Sequence, residues 1–356
     1  MTAVPIMSAL RRGRPPWPTP ASGEGLPARL ARMAEAGAMP VSRLVRDIAA
    51  LALGPGRVSL GDYEALRLYD AALWQGADRR EIVGAGRARR LARQANVRRD
   101  CLALATDRLA SRAYLAAHGL PTQPILAIYR AGLAAPGAEL LRTRDELRQF
   151  LEGHAGQPLV VRPAEGGGER VLFDHPGGDP AAEIDALADA AGDAPGVSWL
   201  IQPRLDPPGG GRLTTVRLVT LAGERGAKVW RGLWRLGGRD DLVASLDLRT
   251  GAALTLAPAG APHRARPAPS DLAVPGWTAL KATATEGARL FAQFGLLGWD
   301  VAPGPGGPLI LGLDPAPDLA AHQLADRRGA LGAELRGFLA ERRRLAREWR
   351  RTSGHR

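Results

Sequence analysis

A single cysteine, Cys101, stands in the 356 residues. One thiol cannot close a disulfide within the chain, so the core must hold without covalent staples, and a reducing compartment, the cytoplasm, is the expected address. No uninterrupted apolar run reaches about 18 residues, which argues against a membrane-spanning helix. Arg11, Arg12 and Arg14 are followed by Pro15, Pro16 and Pro18, where a signal peptide needs an apolar stretch. None of the six histidines lies at metal-ligand spacing, so neither a histidine metal site nor a histidine-based nucleophilic triad is supported. Lysine is nearly missing: Lys228 and Lys281 are the only two, and 46 of the 48 cations are arginine. With the abundance of alanine and glycine, this looks like coding bias, and it makes much of the arginine a solvated face.

The apolar share is 45%, enough for a sizeable core in two or three lobes. The net charge of +12 raises nucleic acid as a partner, so its distribution matters. Residues 1–100 hold 17 arginines and 9 acids, and residues 326–356 hold 10 arginines and 4 acids, leaving −2 for the 225 residues between. The basic character belongs to the ends.

Residues 1–27, rich in Pro, Gly, Ser and Arg, read as a flexible basic arm. Residues 28–100 read as a helical region, with helices over Ala28–Ala38 and Ser42–Leu53. A helix capped by Ser59 and Asp62 buries Leu66, Tyr69 and Leu73, and a basic helix spans Arg79–Arg99. Thr106 caps a helix that runs to His118. A strand over Ile125–Tyr129, a helix over Thr143–Leu151 and a strand Leu159–Arg162 come next. Then a triple-glycine tip, Gly166 to Gly168, leads into a strand from Arg170 to Phe173. Such a tip either cradles an anion on its amides or is an ordinary hairpin end. After a helix over Ala181–Ala191 and a strand Trp199–Pro203, the stretches Leu213–Leu221, Lys228–Leu236, Val243–Leu248 and Ala252–Leu256 form a meander. Arg217, Arg231 and Arg235 lie inside its alternating strands, where they meet either acidic neighbours or an anionic ligand. A helix over Trp277–Phe294 precedes the hairpin Leu297–Asp314. Pairing about Pro305–Gly307 sets Asp300 opposite Gly312 and keeps Asp314 on the same face. Two carboxylates there could hold a hard cation such as Mg²⁺, or could simply close strand ends in water. Residues 326–356 form a basic helix and tail whose apolar stripe, from Leu331 to Trp349, could pack on the body, lie on an anionic membrane or meet a protein partner.

In this order, several stretches resemble the sugar-transfer-associated ATP-grasp family, related to α-L-glutamate ligases. They include Leu60-Gly-Asp-Tyr63, Thr106-Asp-Arg108 through Pro121, Val161-Arg-Pro163 with its glycines, Leu200-Ile-Gln202, Thr215 to Thr220, Asp247 to Gly251, Pro275-Gly-Trp277 and Gly298-Trp-Asp300 through Pro308. The resemblance covers about residues 30–325. It implies an α+β ATP-grasp fold: the helical region, then residues 101–325 as two α+β lobes on antiparallel sheets, a nucleotide lobe over about 101–203 and a metal and substrate lobe over about 204–325. It also implies ATP bound between the lobes and Mg²⁺-assisted transfer of its γ-phosphate to a carboxylate, giving an acylphosphate for an amine to attack. On that pattern Arg108 and Arg162 hold the ATP phosphates, Gly166, Gly167 and Gly168 cover them, and Gln202 lies at the adenine-side hinge. Arg217 and Arg235 are the candidate catalytic residues, binding phosphate or acyl substrate, and Asp300 and Asp314 are the candidate metal ligands.

The departures are specific. Gly312 stands where the family has a metal-bridging glutamate, Asp314 replaces an asparagine, and both phosphate lysines are arginine, which leaves room for one ion rather than two. Three functions follow in order: an ATP- and Mg²⁺-dependent carboxylate ligase in polysaccharide or cell-envelope metabolism; a degenerate relative binding nucleotide, sugar-linked ligand or a partner without turnover; and a basic nucleic-acid or membrane-surface binder.

Overall fold

The structure is a computed structural model, and it describes residues 24–98, 100–130, 135–164, 170–172, 179–192, 197–205, 213–237, 242–259, 261, 264–304 and 306–352. Gly166 to Gly168, Asp240, Asp241 and His263 lie outside the described residues.

Helices come first: α1 (Leu26–Ala36), α2 (Val41–Leu53), α3 (Leu60–Ala65), a 3₁₀ turn at Arg79–Glu81, α4 (Ala85–Ala95), α5 (Leu102–Thr106) and α6 (Arg108–Ala117). The smaller sheet takes β1 (Ala127–Tyr129), β2 (Glu139–Leu141), β3 (Leu159–Pro163), β4 (Arg170–Leu172) and β5 (Trp199–Pro203) in the order β2-β1-β5-β3-β4. Only the β1–β2 pair is parallel. Helices α7 (Arg144–Gly153) and α8 (Pro180–Gly192) pack on its face through Leu147, Leu151, Ile184 and Leu187, against Val161 and Ile201.

The larger sheet is antiparallel throughout, in the order β10-β9-β8-β7-β6-β11-β12. Its strands are β6 (Thr215–Gly223), β7 (Gly226–Leu236), β8 (Leu242–Leu246), β9 (Ala253–Pro258), β10 (Arg266–Pro267), β11 (Leu296–Gly304) and β12 (Gly307–Asp314). Two mostly antiparallel sheets with helices between and around them make the protein α+β. One face of the larger sheet is covered by α9 (Trp277–Leu290). Trp299 of β11 is fully buried there and donates its indole N–H to Thr220 Oγ1 at 2.8 Å. A Cβ at Gly287 would lie 2.6 Å from the Trp299 ring, so only glycine lets α9 come this close. The other face meets α10 (Leu319–Asp326) and the amino-terminal helices, through Leu233, Val243, Tyr63, Leu66, Ala321 and Leu324. Finally α11 (Ala333–Thr352) lays Leu335 and Leu339 on Leu91, Ala95 and Leu221.

Several helix limits differ from the sequence pattern, each for a tertiary reason. The capping box of Ser59 and Asp62 forms, but α3 ends at Ala65. Arg67 adopts a left-handed φ of 49°, and Leu66, Tyr69 and Leu73 are buried in the turns beyond it. The Arg79–Arg99 helix is interrupted at Ile82–Gly84, where Gly84 N–H bonds Gly56 O at 3.0 Å. Gln323 holds this break: its Oε1 accepts from Val83 N–H (2.8 Å) and Ala330 N–H (3.0 Å), and its amide donates to Val83 O at 2.9 Å. Asp107, not Thr106, caps α6, accepting from Leu109 and Ala110. The carboxy-terminal helix packs its stripe on the body. Arg342 of this helix turns inward, donating to the carbonyls of Ala95 (2.8 Å), Gln293 (3.1 Å) and Ala222 (3.4 Å).

Gln323→Ala would strand the buried Val83 amide and carbonyl together, at about 2–4 kcal/mol. The expected result is a lower urea midpoint with an unchanged slope.

Candidate functional site

On the larger sheet one row of cross-strand neighbours runs Gly312, Asp300, Arg217, Leu233. Residues directly opposite each other in antiparallel strands share a face, so Asp300 and Arg217 meet side by side. Arg217 donates twice to Asp300, Nε to Oδ1 at 2.8 Å and Nη2 to Oδ2 at 2.6 Å. The Asp300 charge, with those of Asp314 and Asp318 farther off, holds the Arg217 guanidinium firmly protonated. Asp314 lies opposite Gly298, two residues from Gly312, and so faces the same side. Its Oδ1 accepts from Ala316 N–H at 2.9 Å. The hairpin thus has the register its turn residues imply, with a bulge at Asp300/Val301.

Arg235 and Arg231 flank Leu233 on the same strand face. Burial, then the neighbouring Arg217 charge, lowers the Arg235 pKa; among the described residues it makes no hydrogen bond or ion pair. Arg231 is answered by Asp326 at 2.6 Å and Gly329 O at 2.6 Å, so its partner is an acidic neighbour. Two groups on this face were not singled out from sequence. Asp318 caps α10 through Ala320 N–H at 2.9 Å, and burial raises its carboxyl pKa. His322 is fully buried, has no partner for either ring nitrogen among the described residues, and burial then Arg231, Arg217 and Arg235 keep it neutral.

The second part of the site lies where the sheets join. Ile310 of β12 exchanges backbone bonds with Pro121 (2.9 Å) and Gln123 (3.4 Å), and Gln123 donates its amide to Pro203 O at 2.9 Å. Gln202 is fully buried and donates to Pro124 O at 3.1 Å, while its Oε1 has no partner among the described residues. Gln202 lies opposite Val160, and Arg162 two residues on, so the pleat puts Gln202 and Arg162 on one face of the smaller sheet. Arg108 donates Nη1 to Pro163 O at 2.6 Å.

Arg112 was missed. It lies four residues beyond Arg108 on α6, the spacing that places two side chains on one helix face, and that spacing is the signal available in the sequence. Arg112 is 4% exposed. Nη2 donates to Leu311 O at 2.9 Å, but Nε and Nη1 have no partner among the described residues. Burial, then the charges of Arg162 and Arg108, push its pKa down to about 9. Three guanidiniums thus gather at the junction, and the deepest, Arg112, retains two nitrogens, Nε and Nη1, with no partner among the described residues. An anion with several oxygens could answer those two nitrogens of Arg112.

The structure therefore brings Arg108 and Arg162 together, adds Arg112, and sets Arg217, Arg235, Asp300 and Asp314 on one face of the larger sheet. Among the described residues no group of three His, Cys, Asp or Glu side chains could hold a metal ion. At Gly312 an added Cβ would meet nothing within 4 Å, so the gap opposite Asp300 is open.

No protein-family model matches the chain, and no curated protein matches it either. Among solved structures it is similar to the D-alanine–D-alanine ligase of Coxiella burnetii, at 11% identity and a TM-score of 0.43 over 70% of this chain and 60% of that one. The D-alanine–D-alanine ligase of Bacillus anthracis gives 14% and 0.44 over 69% of each chain. An ATP-grasp RimK-domain protein of Sphaerobacter thermophilus gives 14% and 0.38 over 68% of each. Alignments this loose fix neither a reaction nor a substrate.

Charged Arg112 opposes folding, because burial and the neighbouring arginines hold its pKa in the fold below its ordinary value. That penalty is full below about pH 9 and is relieved as pH rises from there. A bound anion offsets it on the same acid side. Pyrophosphate should therefore raise the melting temperature at neutral pH, the shift should shrink above pH 9, and Arg112→Met should lose most of it at pH 7. An equal shift in the variant would exclude Arg112 as the anion's partner.

Proposed function

We propose that this chain binds ATP at the junction of its two sheets and, with Mg²⁺, acts as an ATP-grasp ligase that activates a carboxylate for attack by an amine. The supporting observation is the convergence of Arg108, Arg112 and Arg162, with the unmatched Nε and Nη1 of Arg112 buried among them. A polyphosphate brings oxygens that can accept from Arg112 Nε and Nη1, and low local dielectric strengthens each contact. In this reading Gln202 lies beside the base, and Gly166 to Gly168 cover the phosphates. Arg217 and Arg235 steady the transferring phosphoryl group or the acyl substrate, and the protein works in the cytoplasm. The polysaccharide or cell-envelope setting rests on the motif resemblance alone.

Mg²⁺ fits these residues only in part. It takes oxygen ligands and commonly shares them with substrate phosphates. Asp300 and Asp314 offer carboxylates on one face, but both Asp300 oxygens are engaged by Arg217, and Gly312 has none to give. Those two side chains would hold a single ion together with the nucleotide, and that ion would neutralise charge on the phosphates. The same pairing favours a second reading, nucleotide binding without turnover.

The two readings separate in one thermal-shift series with ATP, with and without Mg²⁺, on the native chain, Asp300→Ala, Asp314→Ala and Gly312→Glu. The ligase reading predicts an ATP shift that grows with Mg²⁺ and loses that growth in both alanine variants. An ATP shift indifferent to Mg²⁺ and to both aspartates leaves binding alone; no shift at saturating ATP sinks both. Gly312→Glu restores a carboxylate in open space and should strengthen the Mg²⁺ dependence.

A further inference from the structure

The arginines of α4 take no part in the junction site. Residues 82–98 contain Arg87, Arg89, Arg90, Arg93 and Arg98 and no acid. Arg87 has Arg90, Arg343 and Arg57 for charged neighbours, and its buried Nε has no partner among the described residues. Arg343 comes from α11, where it also reaches the Gln94 side-chain oxygen. Arg57, Arg89, Arg90, Arg93 and Arg343 are exposed. Asp62 caps the start of α4 through Ala85 N–H at 3.0 Å and Asp100 pairs with Arg98 at 2.6 Å beyond its end, but between them Arg57, Arg87, Arg89, Arg90, Arg93 and Arg343 form no ion pair among the described residues, which leaves a strongly positive surface.

Beside it lies an apolar strip. Helix α2 turns Leu44, Ile48 and Leu51 toward the body. Its outer side shows Val41 at 44%, Val45 at 46% and Leu53 at 77% exposure. Steps of four keep these residues on one side of the helix, with exposed Ala49 between them and exposed Arg43 and Arg46 along the border. The strip runs directly into the cluster: four residues after Leu53 comes Arg57, one of the cations around Arg87. Residues 1–23 carry Arg11, Arg12 and Arg14 and no acid, so charge gives them no attraction to this face.

We infer that the face made by α2, α4 and Arg343 docks on an anionic lipid bilayer, with its arginines at headgroup phosphates and Val41, Val45 and Leu53 dipping among the upper acyl carbons. Exposed aliphatic side chains bordered by arginines that form no ion pair among the described residues suit an interface that is charged outside and apolar just beneath. Nucleic acid uses the charge but not the aliphatic strip, and neither α2 nor α4 carries an aromatic residue on which a base could stack. No described helix is long and apolar enough to cross a membrane, so the attachment is peripheral and reversible. The carboxy-terminal helix buries Leu335 and Leu339 against the body and contributes Arg343 here, while its partly buried Trp349 lies under Arg98 at 5.3 Å.

Sedimentation of the full chain with phosphatidylcholine vesicles, with and without phosphatidylglycerol, tests this. Binding is expected only with phosphatidylglycerol and should weaken as salt rises. The triple variant Arg87→Gln, Arg90→Gln, Arg343→Gln should lose on the order of a hundredfold in affinity, at about a factor of five per cation. The corresponding lysine triple should keep most of it, which separates lost charge from a damaged fold. Val45→Ser with Leu53→Ser should lose about tenfold with little change in thermal stability, since Val45 is about half exposed and Leu53 mostly so. No binding to the anionic vesicles overturns the proposal, as does a serine pair that binds like the native chain. Duplex DNA that strips the protein from vesicles, and whose own binding ignores the serine pair, assigns the face to nucleic acid instead.

Discussion

Taking a guanidinium out of water leaves five N–H donors and a positive charge to be answered, and the way this chain answers them holds the molecule together. Arg342 ties α11 to the end of α4, to the loop before β11 and to β6 through the carbonyls of Ala95, Gln293 and Ala222. Arg231 joins the middle of the larger sheet to Asp326 and Gly329 beyond α10. Arg79 meets Asp47 with both terminal nitrogens and Leu68 O with one of them, fixing the turn that follows α3 to α2. Each of these links elements far apart in sequence.

Arg112 breaks that pattern, which is why it marks a site. It is as deeply buried as Arg342, yet two of its donors meet nothing among the described residues, and its nearest charges are of its own sign. Such an arrangement costs stability in the ligand-free protein, so it persists at a functional position or not at all. The larger sheet shows the opposite economy. There Arg217 and Asp300 satisfy each other, and a cation can reach Asp300 only in competition with a guanidinium. Gly312 adds no carboxylate at the same place, so the oxygen donors on this face are few.

The two cationic regions differ in geometry as well as in charge. At the junction the arginines converge on one buried point, which suits a compact polyanion. Along α4 and α11 they spread over a surface beside aliphatic residues, which suits an extended one.

The sequence by itself determined the local elements whose signals are local. The Ser59–Asp62 box, the helix that begins after Thr143 and the strand around Arg217 all appear where composition and spacing put them. So does the register that sets Asp300 opposite Gly312, because a short Pro/Gly turn permits few alternatives. Only the tertiary structure decided which arginine meets which partner. The Arg217 to Asp300 bond spans 83 residues and the Arg342 to Ala95 bond 247, and no periodicity carries information over such separations. The break at Ile82–Gly84 has the same origin: Gln323, 240 residues away from Val83, holds the backbone out of a helix that its own side chains would otherwise form. Burial decided the rest, since an arginine on α6 or α11 looks the same in sequence whether water or another guanidinium stands beside it.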